Sequence, residues 1–166
     1  MPLVRPITPC LWFDDEAEQA AKFYTRIVPN SRITKITHYG DEGHEIHKQP
    51  KGKVLTVLFE LDGQPFTALN GGPLFKLNEA ISLQLYVRTQ RELDGYWKKL
   101  SAGGDKRAQA CGWLKDKFGL SWQVIPEAMI DMIGNPDDPR SERAMAAMMK
   151  MKKLDIAKLK KAWSGR

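Results

Sequence analysis

Cysteine is nearly missing from these 166 residues: only Cys10 and Cys111 occur, too few to build a disulfide scaffold. They read as two free thiols in a reducing compartment. No run of about 18 apolar residues occurs, so the sequence offers no transmembrane span. The opening Met1-Pro2-Leu3-Val4-Arg5-Pro6 lacks the apolar core of a signal peptide, so a soluble, cytoplasmic protein is expected. Histidine is equally scarce. His38, His44 and His47 fall in one stretch with Asp41, Glu42 and Glu45. A metal cluster there is conceivable, but His44-Glu45-Ile46-His47 misses the i, i+4 spacing of a helical zinc motif, and the Gly-rich surroundings read as a solvated loop.

What is present has the balance of one compact globular domain, 42% hydrophobic and 28% charged. The net charge of +6 is unevenly placed. Residues 140–166 carry nine Lys/Arg against two acids, which leaves the other 139 residues at −1. The basicity therefore belongs to the tail. A basic tail can bind nucleic acid or another anionic surface, and it can equally be the solvated face of a C-terminal helix.

Periodicity divides the chain into elements. Ile7–Phe13 reads as a strand. Ala17, Ala20, Ala21, Phe23, Tyr24 and Ile27 recur at helical spacing, with Asp14 and Asp15 placed to cap that helix. Residues 31–39 read as a strand, 40–53 as a loop, and 53–61 and 64–69 as a hairpin closed by Asp62-Gly63. Asn70-Gly71-Gly72-Pro73 breaks the chain, and the order then repeats. Residues 81–87 predict a strand, Thr89 caps a helix through Leu100, residues 106–110 and 112–116 predict short strands, and 120–125 the last one. Beyond Pro126, Asp138-Pro139 signals a helix start with Ala144, Met145, Met148 and Met149 as its apolar stripe. A second short helix follows Asp155, with Ile156, Leu159 and Trp163 on one side and Lys158, Lys160 and Lys161 on the other.

The two halves match in register. Ile7-Thr8-Pro9 corresponds to Ile81-Ser82-Leu83, Phe23-Tyr24 to Tyr96-Trp97, and the segment 63–69 to 119–125. The expected fold is α+β: module 1 (5–73) and module 2 (78–126), each βαβββ, plus a helical extension (127–166), all within a single domain.

Three phrases carry a family resemblance: Ala68-Leu69-Asn70-Gly71-Gly72-Pro73, Cys111-Gly112-Trp113-Leu114-Lys115-Asp116, and Gly119-Leu120-Ser121-Trp122-Gln123-Val124-Ile125-Pro126. With Ile7-Thr8-Pro9 and Phe23-Tyr24 they resemble the PhnB-like family, often labelled "3-demethylubiquinone-9 3-methyltransferase", of the vicinal-oxygen-chelate (glyoxalase/bleomycin-resistance/extradiol-dioxygenase) superfamily. The resemblance extends over about residues 5–163, and Ala146-Ala147-Met148-Met149 through Leu154-Asp155 also looks familial. It implies paired modules curving around a cleft, and a homodimer in which half-barrels complete one another. In many relatives it also implies a divalent metal that polarises vicinal oxygens of a substrate.

The resemblance places metal ligands at Thr8 and Ser82 on the first strands and at Thr67 and Gln123 on the last ones; the internal duplication pairs the same positions. None of the four is His, Glu, Asp or Cys, so no metal and no cofactor are expected. The methyltransferase label finds no support either. The first strand runs into Asp14-Asp15-Glu16, with no glycine-rich loop for a methyl-donor nucleotide.

Strand alternation lines the cleft with Thr8, Cys10 and Trp12, then Thr67 and Leu69, then Ser82, Gln84 and Tyr86, then Gln123 beside Ile125. These groups suit a neutral or weakly polar small molecule, or else they pack as a filled interior. Catalytic residues are not identifiable. Cys111 reads as an ordinary thiol, and Lys115 and Asp116 are expected to face water. Three functions compete: a metal-free small-molecule binder, a superfamily enzyme with non-standard metal ligands, and a partner-binding protein working through its basic tail. No membrane is expected as a partner, and the near-neutral body disfavours nucleic acid.

Overall fold

The computed structural model describes residues 3–165. Met1 and Pro2 of the N-terminal stretch, and Arg166 at the end of the basic tail, lie outside them. The chain forms two compact units, the first ending at Leu77 and the second starting at Asn78.

The first unit runs β1 (Cys10–Phe13), α1 (Ala17–Ile27), β2 (Arg32–His38), α2 (His44–His47), β3 (Val54–Leu61) and β4 (Gln64–Asn70). Its sheet has the order β1-β4-β3-β2, with β1 parallel to β4 and the other pairs antiparallel. Ala17, Ala20, Ala21 and Tyr24 form the buried stripe of α1 at i, i+3, i+4, i+7. Three of the four are alanines, which lets the helix lie close on the sheet. Beneath it Leu11, Val57, Phe59, Phe66 and Ala68 are buried, with Phe59 stacked on Phe66 at 5.4 Å. The hairpin turn is built by Asp62 (φ 47°) and Gly63 (φ 79°), the left-handed pair that a two-residue loop requires.

The expected start of the first strand and the expected cap of α1 need correcting. The first strand starts at Cys10, not Ile7. Pro6 and Pro9 lack N–H groups, and Thr8 turns its hydroxyl onto the carbonyl of Pro6 at 3.0 Å, so Thr8 precedes the strand and is exposed. Neither Asp14 nor Asp15 caps α1. Asn70, buried at the far end of β4, does so from across the sheet: its Oδ1 accepts from the Ala17 N–H at 2.8 Å. The Asn70 Nδ2 donates to the Val54 carbonyl (3.0 Å), and its own carbonyl accepts from the Tyr39 hydroxyl.

The second unit runs β5 (Ser82–Val87), α3 (Gln90–Leu100), β6 (Trp113–Lys115), β7 (Ser121–Pro126), α4 (Glu127–Ile133), α5 (Pro139–Met148) and α6 (Ile156–Ser164). The sheet order is β5-β7-β6, with β5 parallel to β7. Thr89 and Glu92 close α3 with a capping box, and Asp138 and Asp155 cap α5 and α6 as their positions predict. The module lacks its second strand. Residues 106–110 do not form one: Lys106–Ala108 is a single 3-10 turn, capped by Asp105, whose carboxylate accepts from the Arg107 backbone N–H (2.9 Å) and guanidinium. That local ring competes with strand geometry and wins. Tandem modules remain, the second with a three-stranded sheet.

Asp116 is the second correction here. It is buried, not facing water, and its carboxylate accepts from the N–H groups of Phe118 (2.8 Å) and Leu120 (3.1 Å) and from the Trp122 indole (2.8 Å). It fixes the turn between β6 and β7. Lys115, its neighbour, is half-buried and ion-paired with Glu79.

The C-terminal helices are tied into this unit. The left-handed pair Cys111 (φ 51°) and Gly112 (φ 87°) aims two N–H groups at the carbonyls of Met151 and Lys152, each at 2.8 Å. Leu154 is fully buried against Gly112, where a Cβ would come within 2.9 Å of its methyl. Gln90 of α3 holds the same segment, donating to the Leu154 carbonyl (3.2 Å) and accepting from the Ile156 N–H (2.8 Å). No helix among the described residues is long and apolar enough to cross a membrane.

Two substitutions separate buried from exposed carboxylates. Asp116→Ala strands three donors and is expected to lower unfolding free energy by about 3 kcal/mol. Asp105→Ala, on the exposed 3-10 turn, is expected to leave the denaturation midpoint close to that of the wild type. Urea denaturation of both variants checks this, and equal losses would contradict it.

Candidate functional site

In the first unit, β-sheet alternation leaves one face free of α1. Thr56, Leu58 and Glu60 of β3 lie there, opposite Leu69, Thr67 and Pro65 of β4, with Cys10 opposite Thr67 and Trp12 opposite Leu69. At one end of this face is a recess of about 510 Å³. The segment Arg5–Thr8 forms one wall, and Thr34, Leu58, Glu60, Pro65 and Thr67 form the other. Thr8 and Thr67, the two first-module positions where the resemblance places ligands, thus line one cavity. Glu60 is held by Arg32 at 3.0 Å. The hydroxyls of Thr8 and Thr34 donate to the carbonyls of Pro6 (3.0 Å) and Leu58 (3.1 Å), which leaves their oxygen lone pairs as acceptors. Arg5 and Glu60 were not singled out from sequence. Alternation from Leu58 would have found Glu60, but nothing marks Arg5.

Trp12 and Cys10 sit differently from the recess residues. The Trp12 indole donates to the Gly72 carbonyl at 2.8 Å and its ring meets Phe75 edge-on at 4.9 Å. Gly71 lies against that ring so closely that a Cβ would fall 2.2 Å from Cζ2. Trp12 therefore fastens the Asn70–Pro73 loop and explains Gly71, while Gly72 takes up a left-handed conformation (φ 84°). Cys10 is a free, accessible thiol whose pKa is pushed above its ordinary value by desolvation. Leu69 is half-buried beside Trp12.

In the second unit, the four sequence-selected residues form one hydrogen-bonded ladder. The Tyr86 hydroxyl donates to the Gln84 Oε1 (2.8 Å), the Gln84 amide donates to the Gln123 Oε1 (3.4 Å), and the Gln123 amide donates to the Ser82 Oγ (2.8 Å). Gln84 and Gln123 are direct register partners in the parallel pair, which is why their amides meet. Gln84 and Tyr86 are exposed. Lys115 lies on the same face, and its hydrogen bond to Glu79 lowers the Glu79 pKa.

The four positions where the resemblance puts metal ligands do not fit a metal. Ser82 and Gln123 are bonded to each other, Thr67 is a neutral alcohol, and Thr8 lies off the strand. Among the described residues no three His, Cys, Asp or Glu side chains converge on one point. The His stretch contains one helical turn, α2, where a loop was expected. His47 packs on Tyr39 with ring centroids 4.5 Å apart, and His44 lies edge-on to it at 5.8 Å.

Residues 5–125 match the family described as 3-demethylubiquinone-9 3-methyltransferase. The chain belongs to that PhnB-like family. Among solved structures, a PhnB protein from Bacillus cereus is 31% identical, with a TM-score of 0.63, covering 74% of this chain and 99% of its own. Protein PA1353 from Pseudomonas aeruginosa is 20% identical (TM-score 0.55; 73% and 96% covered). The fosfomycin resistance protein FosX from Listeria monocytogenes is 14% identical (TM-score 0.50; 78% and 97% covered). The latter two are alike in fold alone, the vicinal-oxygen-chelate fold. No curated protein matches the chain. The family match ends at residue 125, short of the Ala146–Asp155 phrase that looked familial in sequence. The methyltransferase of the family's description has no counterpart in this PhnB-like chain's geometry. Each sheet has a single parallel pair, and Asp14-Asp15-Glu16 precede α1 where a nucleotide loop would need glycine.

The raised Cys10 pKa predicts slow alkylation despite exposure. The pH midpoint of iodoacetamide labelling at Cys10, followed by peptide mass spectrometry, is expected above the ordinary thiol value of about 8.5. A midpoint near 7 would mean an activated thiolate.

Proposed function

We infer that this PhnB-like protein binds a small, neutral or weakly polar molecule in the recess of its first unit, without a metal. The observation that carries this reading is the recess itself. It is a cavity of about 510 Å³ in which Thr8 and Thr67 stand where relatives of the superfamily would carry ligands, beside Leu58 and Pro65. That volume is in the range of sites for small organic molecules. With the Thr8 and Thr34 hydroxyl hydrogens already engaged, those oxygens accept, so a ligand carrying N–H or O–H donors on an apolar body fits best. Glu60 is ion-paired with Arg32, and the exposed Arg5 is the other charged residue lining the recess.

A homodimer accompanies this reading. The segment leading into β1 exposes Leu3 (70%), Val4 (99%) and Ile7 (83%), a run of apolar side chains that a second copy would cover. Sedimentation of the full chain is expected to give twice the 18.9 kDa chain mass; a monomer across the accessible concentration range would remove the dimer.

The ligand reading is tested by ligand-observed NMR with a library of small neutral donors, comparing the wild type with Thr67→Trp, which fills the recess. Hits are expected to lose affinity by more than about tenfold in the variant. Elemental analysis of chelator-free protein is expected to find well under one metal per chain, with no thermal shift on adding zinc, nickel, iron or manganese. Tightly held stoichiometric metal, or hits indifferent to Thr67→Trp, would defeat the reading.

A further inference from the structure

The +7 charge of residues 140–166 has a place in the fold. Helices α5 and α6 pack side by side in the second unit, and between them runs a groove of about 640 Å³. Its walls carry Arg143, Lys150, Lys158 and Lys161, and its floor includes Ala146 and Ala147. No carboxylate among the described residues lines it. Lys158 has one distant acid, Asp155 at 3.6 Å, while Lys150 and Lys161 have no carboxylate partner among the described residues. Four cations on one groove raise the local positive potential, which favours an anion there.

One of the four is fixed in position. The Arg143 guanidinium donates from Nε to the Ala162 carbonyl (3.0 Å) and from Nη2 to the Trp163 carbonyl (3.0 Å). These bonds cover the negative end of α6, which would otherwise repel an anion at that end of the groove. They use two of five guanidinium N–H donors and leave three. The alanine floor keeps the groove open between the flexible lysines. The groove lies wholly beyond residues 5–125, the part of the chain that the family match covers.

We propose that the α5–α6 groove is a binding site for a small molecule carrying two or more phosphate groups. Its volume matches a compact ligand. The remaining 139 residues carry a net charge of −1, so the excess of basic charge is concentrated at this end of the chain. Arg143 supplies directional N–H donors, and the three lysines supply point charges that suit spread phosphate oxygens. The site is separate from the recess of the first unit, so neither reading depends on the other.

The full chain is titrated calorimetrically with inorganic tripolyphosphate, and in parallel with a nucleoside triphosphate, at about 50 mM salt, where screening is weakest. Saturable 1:1 binding is expected, with orthophosphate at least about tenfold weaker. Equal affinity for the two probes marks phosphate alone as the ligand chemistry; preference for the nucleoside triphosphate marks a nucleotide. Amide shifts in nitrogen-15 spectra are expected to concentrate within residues 143–165. Lys150→Gln with Lys161→Gln is expected to weaken binding about tenfold at unchanged thermal midpoint, whereas Lys98→Gln with Lys99→Gln on α3 leaves it intact. Arg143 is kept, because it closes α6. The proposal is overturned by an absence of saturable heat, by equal losses in both double variants, or by a single-stranded oligonucleotide that binds more tightly per phosphate and shifts residues outside the groove.

Discussion

A parallel strand pair cannot be closed by a hairpin, so each unit must bind its first strand to its last by means other than a turn. This constraint organises the rest of the structure. In the first unit β1 reaches β4 only after two helices and two further strands, and the closing joint is the buried Asn70, which ties α1, β3 and the Tyr39 hydroxyl to the end of β4. In the second unit the pairing of β5 with β7 likewise depends on a buried polar side chain. Asp116 folds the chain from β6 into β7 and holds the Trp122 indole under the sheet. Both side chains are buried because their bonding capacity is met by fixed donors and acceptors, and a polar group without such partners would be destabilising there.

Much of this was legible from local chemistry. The buried stripe of α1, the Asp62-Gly63 hairpin, the capping residues Thr89, Asp138 and Asp155, and the tandem order of elements follow from rules that act within a few residues. What escaped acts over distance or through competition. Asn70 caps a helix 53 residues away, so nothing near Asp14 or Asp15 reveals that they are idle. Asp116 looks like a surface acid until β7 brings three donors to it. Residues 106–110 have strand composition in part, yet the short loop from Asp105 to Arg107 takes them into a turn. Helix α4 follows Pro126 with no capping side chain, so no start signal marked it. Of the candidate site, the face shared by Thr67 and Leu69 and the ladder in the second unit follow from alternation, whereas Thr8 reaches the recess from the segment before β1. The engagement of Trp12 by the Gly71-Gly72 loop was not, since it depends on where the chain turns after β4.

The C-terminal helices belong to the second unit rather than trailing from it. Two backbone bonds at Cys111 and Gly112, the buried Leu154 and the bidentate use of Gln90 bind them to the sheet and to α3. A basic segment that looks from composition like a detachable tail is therefore a fixed surface, with its lysines presented at set spacings. The first unit has a different character: a recess of threonine hydroxyls and apolar side chains, with Arg5 and the Arg32-paired Glu60 among its lining residues. The charge segregation visible along the sequence becomes a segregation between two folded units.

The ladder from Tyr86 through Gln84 and Gln123 to Ser82 has a direction, because each link donates one way. A glutamine amide reverses its polarity by a half-turn about its last bond, exchanging oxygen for nitrogen. The two amides are linked, so neither can turn alone without placing like groups face to face. The row therefore has two orderings, one presenting a free hydroxyl hydrogen at Ser82 and the other a free hydroxyl hydrogen at Tyr86. An acceptor arriving at one end selects the ordering, and the opposite end, four residues along β5, takes on the complementary hydrogen-bonding sense without any movement of the backbone.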